Sequence, residues 1–119
     1  MDKDNQILEK SFNFSIRVVN LSKTLQNDKE YILSKQLLRS GTSIGANVNE
    51  AQAAQSKRDF VSKMSIAAKE ARESYYWINL LIKTNYIDAK DQHVQTLLEQ
   101  SEELIKMLTS IVRTGQNNL

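Results

Sequence analysis

A chain of 119 residues with no proline, no cysteine, three glycines and a formal net charge of +2 holds one small core, and it excludes disulfides, thiolate nucleophiles and cysteine-based metal sites. So few turn-forming residues argue against an all-β fold and leave long helices uninterrupted. Acids precede any apolar run at the N-terminus and no apolar run nears the roughly 20 residues of a membrane span, so the expectation is a cytoplasmic protein with neither secretory signal nor membrane partner.

The first helix is expected over Asn5–Gln26. Ile7, Ser11, Phe14, Val18, Leu21 and Leu25 recur at alternating spacings of four and three, the pattern of shallow-angle helix packing. Leu8, Phe12 and Val19 form a second apolar row beside it. Asp2 and Asp4 suit a helix start, where negative charge is favoured. After a polar connection, Asn27 or Asp28 is the expected cap of a second helix over Glu30–Ala53, whose seam is Leu33, Leu37, Gly41, Ile44, Val48 and Ala51. Gly41 and Gly45 each weaken this helix by about 1 kcal/mol relative to alanine. Close approach of another helix is the expected reason.

Ser56, with Asp59 three residues on, reads as a capping box opening a third helix over Lys57–Thr84. Its seam is Phe60, Met64, Ala67, Ala71, Ser74, Ile78 and Leu81. If the second and third helices fold back about Ala54–Gln55, Gly41 falls near Glu70 and Ala71, and Gly45 near Met64 to Ala67, so small residues face small residues. Asn85 tolerates the left-handed C-cap conformation. Asp88 is the expected cap of a fourth helix over Ala89–Arg113, with Val94, Leu97, Ser101, Leu104, Leu108 and Ile111 as seam and Leu98, Ile105 and Val112 beside it. Gly115 and the polar tail mark its end. Four seams and short connections give a single all-α domain over residues 1–119, an up-down-up-down four-helix bundle. The doubled apolar rows serve either a wide core stripe or a subunit interface.

Charge is unevenly spread. Residues 56–85 carry six cations against three acids, whereas residues 86–119 carry three against five. Arg58, Ser65, Lys69, Arg72 and Tyr76 share one flank of the third helix, with Lys57 and Lys63 nearby. Cations a turn apart can track phosphates and a tyrosine can stack on a base; equally, Asp59, Glu70 and Glu73 can neutralise such a row. Asn47, Glu50 and Gln52, near the hairpin turn, read as a register-fixing polar network, buried or bridging subunits. Trp77 is either an interface anchor or core.

The run SIGANVNEAQAAQSKRDF (Ser43 to Phe60), then Met64 to Ala67, Lys69-Glu70-Ala71-Arg72-Glu73 and Tyr76-Trp77, resembles the four-helix bundle protein family. Its members are also called 23S rRNA intervening-sequence proteins, because some are encoded within insertions in bacterial ribosomal RNA genes. A common family variant has proline and small residues after the Ser-Ile pair; here Gly45 and Ala46 occupy those places. The resemblance implies a left-handed bundle that assembles into a ring, typically a pentamer. A related protein, the accessory variability determinant of diversity-generating retroelements, forms a basic pentameric barrel that engages nucleic acid and a reverse transcriptase. No established activity comes with the intervening-sequence branch.

Enzyme chemistry finds little material. His93 is the single histidine. A di-iron bundle needs two Glu-x-x-His pairs, and the position three before His93 is Lys90. No Gly-x-Ser-x-Gly elbow exists. The sequence therefore points to a non-enzymatic, self-associating adaptor or scaffold without cofactor, metal or small-molecule substrate. The alternative is a nucleic-acid-binding ring that uses Lys57, Arg58, Lys63, Lys69, Arg72 and Tyr76, or that meets a nucleic-acid-processing protein.

Overall fold

The computed structural model describes the backbone of residues 3–119 and the side chains of residues 6–119. Asp2 lies outside the described residues, as does the Asp4 side chain. Four helices follow in order: α1 (Lys3–Asn27), α2 (Ile32–Ala51), α3 (Lys57–Lys83) and α4 (Gln92–Asn117). They run alternately up and down. Each packs on two neighbours around a square and the diagonal pairs do not approach. The bundle measures 46 × 23 × 22 Å.

The expected seams meet at its centre. Phe14, Val18, Leu37, Ile44, Met64, Ile78, Leu81, Leu104 and Leu108 are fully buried. Serines share this core. Ser74 donates to Ser40 Oγ at 2.9 Å between α3 and α2, while Ser34 and Ser101 return their hydroxyls to backbone carbonyls one turn back. A small side chain that satisfies itself locally allows helices to approach without an unpaired polar group. Of the second rows, Leu98, Ile105 and Val112 pack against the core. Phe12, by contrast, is 65% exposed. Phe60 yields the buried place at the start of α3 to Val61, which lies under Gly115 of α4.

The helix ends explain where the expected boundaries shift. α1 closes with Lys29 in the left-handed region (φ 67); Glu30 N–H donates to Leu25 O and Lys29 N–H to Gln26 O, the paired bonds of a Schellman motif. Glu30, not Asn27 or Asp28, then caps α2. Its carboxylate accepts from the N–H groups of Ile32, Leu33 and Ser34 at 3.2, 2.9 and 2.7 Å. Ser56 caps α3 as expected, accepting from Asp59 N–H at 3.0 Å; the Asp59 carboxylate reaches back to Gln55 N–H rather than to Ser56. Asn85 (φ 68) ends α3 with a second Schellman pair. Asp91, not Asp88, caps α4, because it stands three residues before Val94, the first buried residue of that helix. Asp88 instead holds the preceding turn through Lys90 N–H. Gly115 does not end α4. It lies inside the helix, where a Cβ would come 2.6 Å from Val61 Cγ2.

The glycines of α2 face a different partner from the one expected. A Cβ on Gly41 would meet both methyls of Val18 at 2.8 Å, and one on Gly45 would lie 3.3 Å from Ser11 O. Both neighbours are on α1. Ala67 and Ala71 are fully buried on α3, and the buried hydrogen bond between the two helices joins Ser40 and Ser74. The α2–α3 pairing itself runs as expected, with Arg39 opposite Glu70 and Glu73, and Glu50 opposite Lys63. Gly41 and Gly45 are turned about the α2 axis, away from that contact and towards α1.

Candidate functional site: a basic face and an apolar face

Helical spacing from Arg58 through Ser65, Lys69, Arg72 and Tyr76 lays these residues along the solvent ridge of α3. Arg58, Lys69, Arg72 and Tyr76 are exposed there and Ser65 is half-buried. Lys83, seven residues beyond Tyr76 and also exposed, continues the ridge. From Arg58 to Lys83 it spans about 37 Å at 1.5 Å per residue. Lys57 is exposed at the first turn. Lys63 does not join; it turns towards α2 and pairs with Glu50 at 3.4 Å.

The acids nearest the ridge in sequence are engaged elsewhere. Glu70 and Glu73 both pair with Arg39 of α2. Glu73 also accepts from Trp77 Nε1 at 3.2 Å. Asp59 holds Gln55 N–H. Among the described residues, Arg58, Lys69, Arg72 and Lys83 make no ion pair within 4.0 Å. Arg72 reaches Thr109 of α4 at 3.5 Å. Lys106 and Arg113 lie three residues before and four after Thr109, hence on the same side of α4, and both are exposed. No sequence signal points to this contribution, because only the α3–α4 register brings the two helices' cations to one face. Tyr76 is 58% exposed and sits edge-on to Trp77, ring centroids 5.1 Å apart. Trp77 packs on the core, with its N–H held by Glu73.

The opposite face of the square, formed by α1 and α2, carries an exposed aromatic beside a groove of mixed lining. Phe12 projects there from α1, whereas Ile16 (46% exposed) borders the α1–α4 side. A groove of about 780 Å³ runs between Leu8, Glu9, Phe12 and Ser15 on one side and Thr42, Gly45, Ala46 and Asn49 on the other. The small residues of α2 make it: where a larger side chain would fill the surface, Gly45 and Ala46 leave a trough.

The expected polar network near the hairpin turn does not form within the chain. Asn47 Nδ2 donates to Ser43 O at 2.8 Å and Gln52 Nε2 to Val48 O at 3.0 Å, each within α2. Glu50 is exposed, with only Lys63 as partner. On an exposed helix face, the carbonyl one turn back is nearer to a short amide than any residue of another helix. The polar ties between α2 and α3 are instead Ser40–Ser74 and the Arg39 fork. His93 is exposed in the first turn of α4. Among the described residues no three His, Cys, Asp or Glu side chains gather as a metal site, and no helix is long and apolar enough to cross a membrane.

Comparison with known proteins agrees with this architecture. The family model described as 23S rRNA-intervening sequence protein matches residues 3–110. No curated protein matches. A crystal structure from Bacteroides thetaiotaomicron, of a protein of unknown function from the S23 ribosomal protein family, superposes with a TM-score of 0.88 at 50% identity, covering 94% of this chain and 99% of that one.

Proposed function

The chain belongs to the 23S rRNA-intervening sequence protein family, and on that premise we propose that it is a non-enzymatic bundle that self-associates through the α1/α2 face and acts as an adaptor or scaffold. The observation that carries this reading is the exposed Phe12 beside a trough lined by Gly45 and Ala46. An exposed aromatic and a neighbouring groove on one surface suit a contact between copies. A specific interface covers roughly 800 Å² on each partner, and the face of about three turns from Leu8 to Val19 offers a surface for it.

A second reading is favoured by the unpaired cations of α3 and α4. We propose that this opposite face holds a nucleic-acid backbone, with Arg58, Lys69, Arg72 and Lys83 tracking phosphates, Lys106 and Arg113 beside them, and Tyr76 available to stack. The two readings are compatible, since copies joined through α1/α2 keep their basic faces outward.

Light scattering with and without RNA, at low and moderate salt, tests both. A mass above the 13.6 kDa of one chain is expected, and Phe12→Asp should return it to one chain without lowering the melting temperature. RNA should co-migrate at low salt and dissociate as salt rises, and Lys69→Glu with Arg72→Glu should abolish this without changing the mass. A single-chain mass for the wild type overturns the first reading. RNA binding that survives the double reversal overturns the second.

A further inference from the structure

The α1–α4 seam is the least closed of the four, and a cleft of about 810 Å³ opens along it. Leu21 and Leu97 give it apolar lining, Arg17 and Asn20 project from α1, and the half-exposed Tyr86 of the α3–α4 connection stands beside them. Gln100 of α4 lines the same cleft. Its Oε1 is shut off from solvent and accepts no hydrogen bond, the one side-chain atom in that condition among the described residues. Buried acceptors are nearly always satisfied, and each exception calls for a partner.

The charges narrow the choice of partner. Asp91 and Asp88 border the cleft and remain anionic, their charge offset in part by the backbone N–H groups they accept, Asp91 from His93 and Val94 at the α4 N-terminus and Asp88 from Lys90. Arg17 makes no ion pair within 4.0 Å among the described residues. Among the described residues, the side-chain groups of the lining left without a partner include the Arg17 guanidinium, the Gln100 carboxamide oxygen, the amides of Asn13 and Asn20 and the His93 imidazole, with the Tyr86 ring and an apolar lining beside them. A bare anion leaves the lining and the carboxamide unused, and a purely apolar ligand leaves Gln100 and Arg17 unused. The volume lies within the roughly 300–1,000 Å³ of small-molecule sites, which occur between the helices of bundles.

We propose that this cleft binds a small planar N-heteroaromatic molecule bearing an anionic group, of which a nucleoside monophosphate is the simplest biological form. Gln100 Oε1 accepts from a ring or exocyclic N–H, as carboxamides do at base edges. Its terminal torsion is soft, so the oxygen turns to the ligand without moving the helix. Tyr86 covers the ring face, and Arg17 takes the anionic group. The site is separate from the α3/α4 basic face, and neither depends on the other.

The test is NMR titration of the full chain with AMP, GMP, CMP and UMP, and with inorganic phosphate alone. At least one nucleotide should give saturable shifts at Tyr86 and at the Gln100 side-chain amide, whereas phosphate at the same concentration should not saturate. Arg17→Gln and Gln100→Leu should each weaken binding at least tenfold in proteins that still melt cooperatively. Lys69→Glu with Arg72→Glu should leave it unchanged, which separates this site from the basic face. In that background a short oligonucleotide distinguishes the source: binding tighter than the mononucleotide assigns a nucleotide within a strand, and weaker binding assigns the free nucleotide. No saturable shift with any of the four, or shifts that survive both cleft substitutions, overturns the proposal.

Discussion

Gly41 shows how a single position decides between two opposing effects. Alanine there gains about 1 kcal/mol of helix propensity. Its Cβ, however, meets both methyls of Val18 at 2.8 Å and the Val18 Cβ at 3.2 Å, so no rotation of the valine makes room, and overpacking of this kind costs about 1–3 kcal/mol. Gly41→Ala is expected to lower stability in denaturant titration, and Val18→Ala in the same chain to recover part of the loss, so that the pair costs less than the sum of its members. Lys29 is the reverse case. It holds a left-handed conformation (φ 67) that disfavours an L side chain by about 1–2 kcal/mol. Lys29→Gly should raise the melting temperature, and an unchanged or lower value would mean that the lysine stem repays the strain through packing.

The start of α2 depends on Glu30, which is 7% exposed. Burial by itself raises a carboxyl pKa, yet N–H donation from Leu33, Ser34 and Ile32, with the Ser34 side chain, outweighs it and holds Glu30 below its ordinary value of 4.5. A carboxyl lowered by folding stabilises the native state above its unfolded value, and that contribution is lost as pH falls through 4.5 towards the folded value. Glu30→Gln should therefore cost about 1–2 kcal/mol at neutral pH, in the range of a lost helix cap. Its stability should also fall less steeply than the wild type's below pH 4.5, as followed by circular dichroism. This cap was only half legible in the sequence. Glu30 is visible as an acid near a helix start, but choosing it over Asn27 and Asp28 required the left-handed turn at Lys29, and neither glycine nor asparagine marks that turn. Ser56 and Asn85 were legible because each is the residue type that its conformation demands.

At the level of the molecule the four seams are unequal. α2 and α3 are tied by Ser40–Ser74, by Arg39 with two glutamates and by Lys63–Glu50. The α1–α4 seam has the single exposed ion pair Lys10–Glu103, the open cleft and the unpaired Gln100 acceptor. Leaving such an acceptor buried costs about 1–3 kcal/mol, and an apolar group of similar shape removes that cost. In the absence of ligand, Gln100→Leu is expected to raise the melting temperature; a fall would show that the amide is satisfied in solution. The faces are unequal too. Phe12 lies on the α1/α2 side, and the unpaired cations lie on α3/α4.

The sequence alone determined the number of helices, their antiparallel order, most of the core residues and the caps at Ser56 and Asn85. These follow from local spacing and from conformational preferences that act within a turn or two. It also contained the cations of α3, but not whether they stay free. That depended on Arg39, some thirty residues away in the chain, engaging Glu70 and Glu73. The partner of Gly41, the arrival of Lys106 and Arg113 beside Arg72, and the isolation of Gln100 were decided by tertiary structure for the same reason. Periodicity fixes which side of a helix is buried, whereas rotation and register between helices fix which residues meet.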